Sequence, residues 1–311
     1  MSSTDAAARS REGRTPGAAE YALLAGISIA WGTSYMFTKM AVASVPPLTL
    51  VAARTVIAAA AMLALMALRR RCMRLSGREL AAFALVGLLA NAAPLSLIAV
   101  SVAHVHSSVT ATTLALVPLI TALFAIFRGQ YPTMRSIAGI LVGLAGIAVL
   151  FGPDAFASFG DDARGLVAAI AAALVFSASL FAMALVRRHD AVTVTTLSLV
   201  SAALWTTPVA LLADGAPPAL PDIGVLGAVL VLALFNTAAA SLLMFALVPR
   251  AGPAFTAYNN YLVPAVAVVC GTVFLGEPLT TRSVAGVVLV LAGVAISTLR
   301  LRAPAPAAAS T

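Results

Sequence analysis

Long stretches of this chain contain no Asp, Glu, Lys or Arg, and the longest of them, residues 80–127, has 48 uncharged residues in a row. Charged residues make up only 10% of the sequence, whereas soluble domains carry roughly 25%. So few charges cannot cover a surface that faces water. Because a helix needs about 20 apolar residues to cross a bilayer, these stretches predict an all-α integral membrane protein.

The uncharged stretches divide into ten predicted transmembrane helices. The stretch 80–127 is too long for one helix, and it breaks at the polar residues 103–108. The stretch 48–68 is interrupted only by Arg54. The predicted spans are approximately 21–43, 48–68, 80–102, 107–127, 136–152, 165–186, 191–213, 224–248, 254–275 and 282–300.

Basic residues lie mainly in alternate loops, which predicts the orientation of the chain. Cytoplasmic loops are enriched in Lys and Arg, so both termini are expected in the cytoplasm, with the helices in the inner (plasma) membrane. On that side lie 15 of the 19 basic residues, namely Arg9, Arg11, Arg14, Arg69, Arg70, Arg71, Arg74, Arg78, Arg128, Arg135, Arg187, Arg188, Arg250, Arg300 and Arg302. The opposite loops hold mostly acids. The net charge of +8 therefore reflects topology and does not indicate nucleic-acid binding.

The chain contains an internal repeat. Six of thirteen positions are identical between residues 138–150 and 285–297, which lie 147 residues apart, and the mid-helix pair Asn91 and Asn236 lies 145 residues apart. Five helices per half is an odd number, so the second half enters the membrane from the opposite side. We therefore predict two inverted five-helix repeats, 20–152 and 163–302, with a cytoplasmic tail at 1–19 and a disordered one at 303–311. Many transporters have this architecture.

Three motifs resemble those of one family. They are "FLGEPLTTRSVAGVVLVLAGVAIS" (274–297), "AWGTSYMFTKMAV" (30–42) and "VAARTVIAA" (51–59), which carries an arginine in the second span. With them the chain resembles the EamA family of the drug/metabolite transporter superfamily over nearly all of residues 20–302. The resemblance implies movement of a solute across the cytoplasmic membrane, often export of amino acids or related metabolites. One departure is Gln130, where the family commonly has a glutamate.

Polar and aromatic residues inside the spans are the candidates for binding a solute. Trp31, Ser34 and Tyr35 share one face of the first span, although a tryptophan there is also compatible with helix packing. A buried amide in hydrocarbon needs a partner or a wet cavity, and "TAYNNY" is the most polar string in any span. We expect the cavity between the first, third, fourth, sixth, eighth and ninth spans, and its predicted substrate-binding residues are Trp31, Ser34, Tyr35, Asn91, Thr113, Asn236, Tyr258 and Asn259.

Four further residues are predicted to have structural or gating roles. Pro118 and Pro264 are expected to kink their helices, either for packing or to free a carbonyl group. Arg54 is the deepest charge, and it is expected to pair with Glu277 or another outer group, or to extend to the interface. Glu277 is alternatively expected to cap the last helix.

Missing residue types exclude several function classes. No Asp or Glu lies within a predicted membrane core, which argues against proton-coupled export of organic cations. No phosphate-binding loop, metal cluster or nucleophile with a base is present, so we expect neither an enzyme nor a cofactor. We predict a secondary transporter of a small metabolite, with amino acids as the first candidate, export as the direction, and the solute and the bilayer as its partners. A monomer and a homodimer are both compatible with the sequence. Alternatives are an organic-cation drug exporter, a nucleotide-sugar-type carrier, a non-transporting scaffold and a membrane enzyme.

Overall fold

The computed structural model describes residues 17–69, 75–124, 126, 133–151, 161–215, 221–256 and 258–298. Every regular element in these residues is helical. Six of these helices are long and apolar enough to cross a membrane, and three more are apolar but shorter. The chain is therefore a multi-pass membrane protein, as its sequence predicts. Most of both predicted tails, together with Gln130, lies outside the described residues.

The described helices differ from the predicted spans mainly in where they begin, end or are interrupted. The predicted loop between 248 and 254 is helical, because one helix continues to Thr256. The described α-helices are α1 Ala18–Val42, α2 Pro47–Leu68, α3 Gly77–Gly87, α4 Ala93–His104, α5 Ser107–Leu114, α6 Val117–Phe124, α7 Met134–Phe151, α8 Asp161–Ala182, α9 Ala191–Ala213, α10 Ile223–Ala233, α11 Ala240–Thr256, α12 Asn259–Leu275 and α13 Thr281–Thr298. The count of ten spans stays a prediction.

Two short π-helical segments interrupt otherwise regular helices. Leu88–Ala92 joins α3 to α4, and Leu234–Ala239 joins α10 to α11. In the first, Pro94 lies two residues after the segment and has no N–H with which to continue the α-helical pattern. In the second, the Thr237 hydroxyl donates to the Leu232 carbonyl at 2.7 Å. Segments of this type occur frequently at functional sites, and these two begin 146 residues apart.

The helices α7 and α13 cross at unusually short range through glycines. A methyl group added at Gly293 would lie 2.5 Å from the Gly143 nitrogen and 2.6 Å from the Gly139 carbonyl oxygen. One added at Gly146 would lie 2.6 Å from the Val290 nitrogen. Going from 143 to 146 along α7 therefore corresponds to going from 293 to 290 along α13, so the two helices are antiparallel. Small residues permit such close contact in membranes.

The other helices surround a central space. Extensive contacts join α2 with α9, α4 with α8, and α1 with both α11 and α12. Beside that space, Tyr35 of α1, Val102 of α4, Ala111 of α5 and Val263 of α12 form one buried cluster. The first helix thus lies centrally between both halves of the chain.

The first turn of α2 is capped by a residue distant in sequence. The Asp214 carboxylate, at the end of α9, accepts hydrogen bonds from the Thr49 N–H at 2.8 Å and the Thr49 hydroxyl at 2.9 Å. The first N–H groups of a helix have no partner within the helix, and carboxylates stabilise them. Asp214 therefore connects the ends of α2 and α9, which pack along their lengths.

We expect Asp214→Ala to lower the free energy of unfolding by about 1 kcal/mol, the usual cost of losing such a cap. Asp214→Asn keeps an acceptor oxygen and is expected to lose less. Thermal unfolding of the purified protein in detergent would measure both. An Asp214→Ala protein as stable as wild type would show that the Thr49 contact contributes nothing.

Candidate functional site

A cavity lies at the centre of the helices. Its empty volume is about 930 Å³, including the space open at its mouth. Apolar residues form most of its wall, and three of them are aromatic, Trp31, Tyr35 and Phe176. Its polar lining comes from Ser34, Arg54, Asn91, Asn236, Thr237, Ser241, Asn259 and Asn260. This mixture of apolar wall with a few polar groups is typical of small-molecule sites.

The predicted face of α1 lines this cavity. Trp31, Ser34 and Tyr35 all contribute to the wall, as expected for positions i, i+3 and i+4 of one helix. Tyr35 is 7% exposed and Trp31 packs against the cluster around it. The three residues therefore present two aromatic groups and one hydroxyl to any solute inside.

Asn236 lines the cavity from the π-helical segment Leu234–Ala239. Its amide nitrogen donates to the Ala30 carbonyl and, at 3.0 Å, to the Thr33 hydroxyl. A carbonyl accepts only, so this contact fixes which end of the amide is the nitrogen. The Oδ1 atom is buried and has no hydrogen-bond partner among the described residues. Asn91, from the other π-helical segment, lines the same cavity.

Arg54 is a buried cation in the wall of the cavity, with 4% of its surface exposed. Its Nε donates to the Thr237 hydroxyl at 2.6 Å and its Nη2 to the Ser34 hydroxyl at 3.1 Å. The predicted pairing with Glu277 is wrong in this structure, because the Glu277 carboxylate is bound elsewhere. The side chain is buried inside the protein and does not extend to its surface. Neutral hydroxyls hold the guanidinium in place.

The start of α12 contributes Asn259 but not Tyr258. The Ser28 hydroxyl donates to the Asn259 Oδ1 at 2.9 Å, which ties α12 to α1. Tyr258 is 44% exposed and contacts the rings of Phe255 and Tyr261, away from the cavity. The prediction for Tyr258 as a cavity residue is therefore wrong. Each residue of a helix is rotated by about 100° from the one before it, and at this turn Asn259 and Asn260 line the cavity while Tyr258 does not.

Thr113 also lies outside the cavity wall, contrary to prediction. It is fully buried, and its hydroxyl donates to the Val109 carbonyl at 2.9 Å within the same helix. The two prolines differ in their effects. Pro118 lacks an N–H and lies just after the break between α5 and α6, without lining the cavity. Pro264 lies inside the continuous helix α12 and lines the cavity.

Glu277 caps a helix, but a different one from that predicted. Its carboxylate accepts from the Ser107 N–H at 2.7 Å, the Ser108 N–H at 3.3 Å and the Ser108 hydroxyl at 3.0 Å, all at the start of α5. Gly276 has a φ of 65°, a left-handed conformation that suits glycine and ends α12. The chain then folds back, so that the Glu277 N–H donates to the Gly271 carbonyl. A side chain at Gly271 would collide with this carboxylate. The Gly-Glu pair is thus a turn that carries the cap.

The same end of the molecule contains a second cap. The Lys39 ammonium of α1 donates to the Val102 carbonyl at 2.7 Å and the Val105 carbonyl at 3.0 Å, at the end of α4. His106 lies 3.9 Å from the Glu277 carboxylate. The connection between α4 and α5 is thereby held by α1 on one side and by the α12–α13 turn on the other. In the described part of the chain no cluster of His, Cys, Asp and Glu is suited to a metal ion.

Several residues of the cavity are not among the sequence-based candidates. Phe176 lies 145 residues after Trp31, the spacing of the Asn91–Asn236 pair, so the repeat contains the signal for it. Asn260 is part of the polar string already noted, and Thr237 follows Asn236 directly. For Ser241, only the structure shows that the residue faces inward.

The chain matches known transporters along most of its length. Residues 19–152 and 163–299 each match the model of the EamA-like transporter family. An uncharacterized transporter of Archaeoglobus fulgidus is 24% identical over 86% of this chain and 94% of its own. The uncharacterized transporter YvbV of Bacillus subtilis is 24% identical over 92% and 93% of the two chains. The uncharacterized inner membrane transporter YedA of Escherichia coli is 26% identical over 84% of each.

The fold also matches a solved structure. One crystal structure aligns with 89% of this chain and 97% of its own with a TM-score of 0.65, at 21% sequence identity. This likeness concerns the fold alone. The two segments that match the family model cover most of the sequence and confirm the resemblance found in the motifs. The chain therefore belongs to the EamA-like transporter family and is a multi-pass membrane transporter.

Proposed function

We propose that this protein is a secondary transporter that moves a small organic metabolite by alternating access, with amino acids as the first candidate. The observation that carries the proposal is the central cavity, which is lined by polar groups from both halves of the chain. A cavity of this kind inside a membrane protein gives a polar solute an environment that hydrocarbon denies it.

Two related and inverted halves would supply the change of access. Adding the repeat spacing of 147 to the α7 positions 143 and 146 gives the α13 positions 290 and 293. The contact of Gly143 with Gly293 is therefore the repeat equivalent of the contact of Val290 with Gly146. This reciprocity, in an antiparallel pair, is what a two-fold axis in the membrane plane produces. The two π-helical segments and the two family matches support the same repeat. Transporters of this design switch by moving one half against the other around a fixed site.

The proposed location is the inner membrane, with both termini cytoplasmic. The support comes from the distribution of arginines among the loops and from the name of the YedA relative. Export is the proposed direction. The charge of the wall disfavours organic cations, since the described residues that line the cavity include Arg54 and no carboxylate.

Counterflow of labelled amino acids into proteoliposomes holding the purified protein would test this proposal. We expect uptake of a neutral or aromatic amino acid, and a loss of roughly tenfold or more in Trp31→Ala and Asn259→Ala, since each removes a group of the cavity wall worth about 1.4 kcal/mol or more. Trp205→Ala is the matched control, because Trp205 is 45% exposed and lies outside the wall. This variant should transport like wild type.

Other results would contradict parts of the proposal. If no amino acid were taken up and organic cations were transported, the result would favour a drug exporter. An absence of uptake for every solute would contradict the proposal that the protein is a transporter. Equal losses in all three variants, the Trp205 control included, would assign the effect to folding and remove the support for this cavity as the site.

A further inference from the structure

We propose that Arg54 and Asn236 form a recognition pair in the cavity, in which Arg54 binds a carboxylate of the solute and the Asn236 Oδ1 accepts a hydrogen bond from its ammonium group. The inference rests on the proposed function and narrows its substrate class. The cargo would be a zwitterion that carries both groups close together, as an α-amino acid does.

Arg54 has the properties of an anion-binding residue. It is buried, it lines the cavity, and its observed partners are two neutral hydroxyls, those of Thr237 and Ser34. A guanidinium has five N–H donors, and only two take part in these hydrogen bonds. No carboxylate among the described residues pairs with it. Guanidinium groups bind carboxylates with two parallel hydrogen bonds, so a solute carboxylate would complete this environment.

The repeat indicates that the fold alone does not require a cation here. The helix α9 starts 144 residues after α2 and packs along it, yet α9 contains no charged residue. The second half therefore folds without a counterpart of Arg54. A buried charge that only one half carries is better explained by binding than by architecture.

Asn236 supplies the complementary group. Its nitrogen is engaged with Ala30 and Thr33, while its Oδ1 is buried without a donor among the described residues. Buried acceptors are rarely left unpaired in proteins. Thr237, the next residue, receives the hydrogen bond from Arg54. Arg54 also contacts Ser34, which follows Thr33, the residue that Asn236 contacts. The two side chains are therefore held by adjacent residues on α1 and on the π-helical segment, and both line the cavity.

Binding of two matched sets of probes to the purified full-length protein would test the pair. The first set is L-leucine, leucinamide, isocaproate and isopentylamine, and the second is L-phenylalanine, phenylalaninamide, hydrocinnamate and phenethylamine. Within each set the apolar side chain is constant. The amide and the amine lack the carboxylate, and the deaminated acid lacks the ammonium group. Affinity is read from thermal stabilisation as a function of probe concentration. We expect the free amino acid to bind at least ~10-fold more tightly than its amide, its deaminated acid or its amine.

Variants separate recognition from structure. Arg54→Gln should make the amino acid and its amide bind alike, and Arg54→Lys should restore part of the difference. Asn236→Ala should reduce the difference between the amino acid and the deaminated acid, and leave the requirement for a carboxylate. Arg188→Gln removes an exposed arginine and should change nothing. If Arg54 and Asn236 had only a structural role, each substitution would weaken the binding of all probes equally.

Three outcomes would overturn the pair: amides or amines that bind as tightly as the amino acids, equal weakening of all probes by Arg54→Gln, or no binding of either amino acid. Transport of another solute in counterflow, combined with any of these, would leave the transport proposal standing. The expected binding pattern in a protein that shows no counterflow would support the pair and contradict transport.

Discussion

Gly293→Leu is expected to abolish the packing of α13 on α7 and to lower stability by about 3 kcal/mol, the upper end of the usual cost of overpacking. The atoms nearest a side chain at this position are the Gly143 nitrogen and the Gly139 carbonyl oxygen. Both belong to backbone, which cannot rotate away as a side chain can. The helices would have to separate, and the buried residues Val290 and Val294 would lose their contacts. Thermal unfolding and size-exclusion chromatography in detergent would measure the effect.

Gly227→Leu is the matched control for this substitution. Gly227 lies in α10, and a side chain there meets nothing within 4 Å. We expect this variant to purify and unfold like wild type. If both leucine variants were equally stable, the close glycine contact between α7 and α13 would be refuted.

Glu277→Ala is expected to reduce transport by roughly 10- to 100-fold, because losing a buried charge-assisted cap costs about 1.5–3 kcal/mol. The substitution leaves the Ser107 and Ser108 N–H groups without their acceptor at the start of α5. This helix carries Ala111 and Leu114 into the cavity wall, so fraying of its first turn would disturb the site directly. Initial rates of counterflow, together with thermal unfolding, would show both losses.

Two further variants test whether the loss in Glu277→Ala comes from the missing cap on α5. Glu277→Gln keeps one acceptor oxygen and should lie between alanine and wild type. Glu79→Ala removes a partly exposed glutamate that caps its own helix at Ser76 and contacts His189, and it should leave transport nearly unchanged. Wild-type transport in Glu277→Ala would show that the cap on α5 is dispensable.

The residues that the sequence located well are those whose type conflicts with their surroundings. Trp31, Asn91, Asn236 and Asn259 lie within predicted membrane spans, where a polar group needs a partner or a cavity. That conflict is visible without coordinates, and all four line the cavity. Tyr258 shows the limit of the argument. It stands in the same polar string as Asn259 but faces an aromatic cluster outside the cavity, and the sequence contains no signal for the rotation of that turn.

The hydrogen-bond partners of the charged residues are less predictable from the sequence than the positions of these residues in the helices. The sequence predicts a structural or gating role for Arg54 from its depth, and its hydrogen bonds go to Ser34 and Thr237 and not to Glu277. The sequence also indicated that Glu277 caps a helix, because it follows a glycine near a helix start. It caps α5, about 170 residues earlier in the chain. Pairings over such separations depend on how the helices assemble, which no local pattern encodes.

The sequence by itself determined that this chain lies in a membrane, that it crosses the membrane with several apolar helices, and that its two halves match one family. Transfer of a helix into hydrocarbon depends on the composition of that helix alone, and its contributions add along the chain. Only the tertiary structure decided which side chains share the cavity, which helix Glu277 caps, and that α7 and α13 meet through Gly143 and Gly293. These features depend on the rotation and crossing of helices, because packing in a bilayer is set by contacts between distant segments.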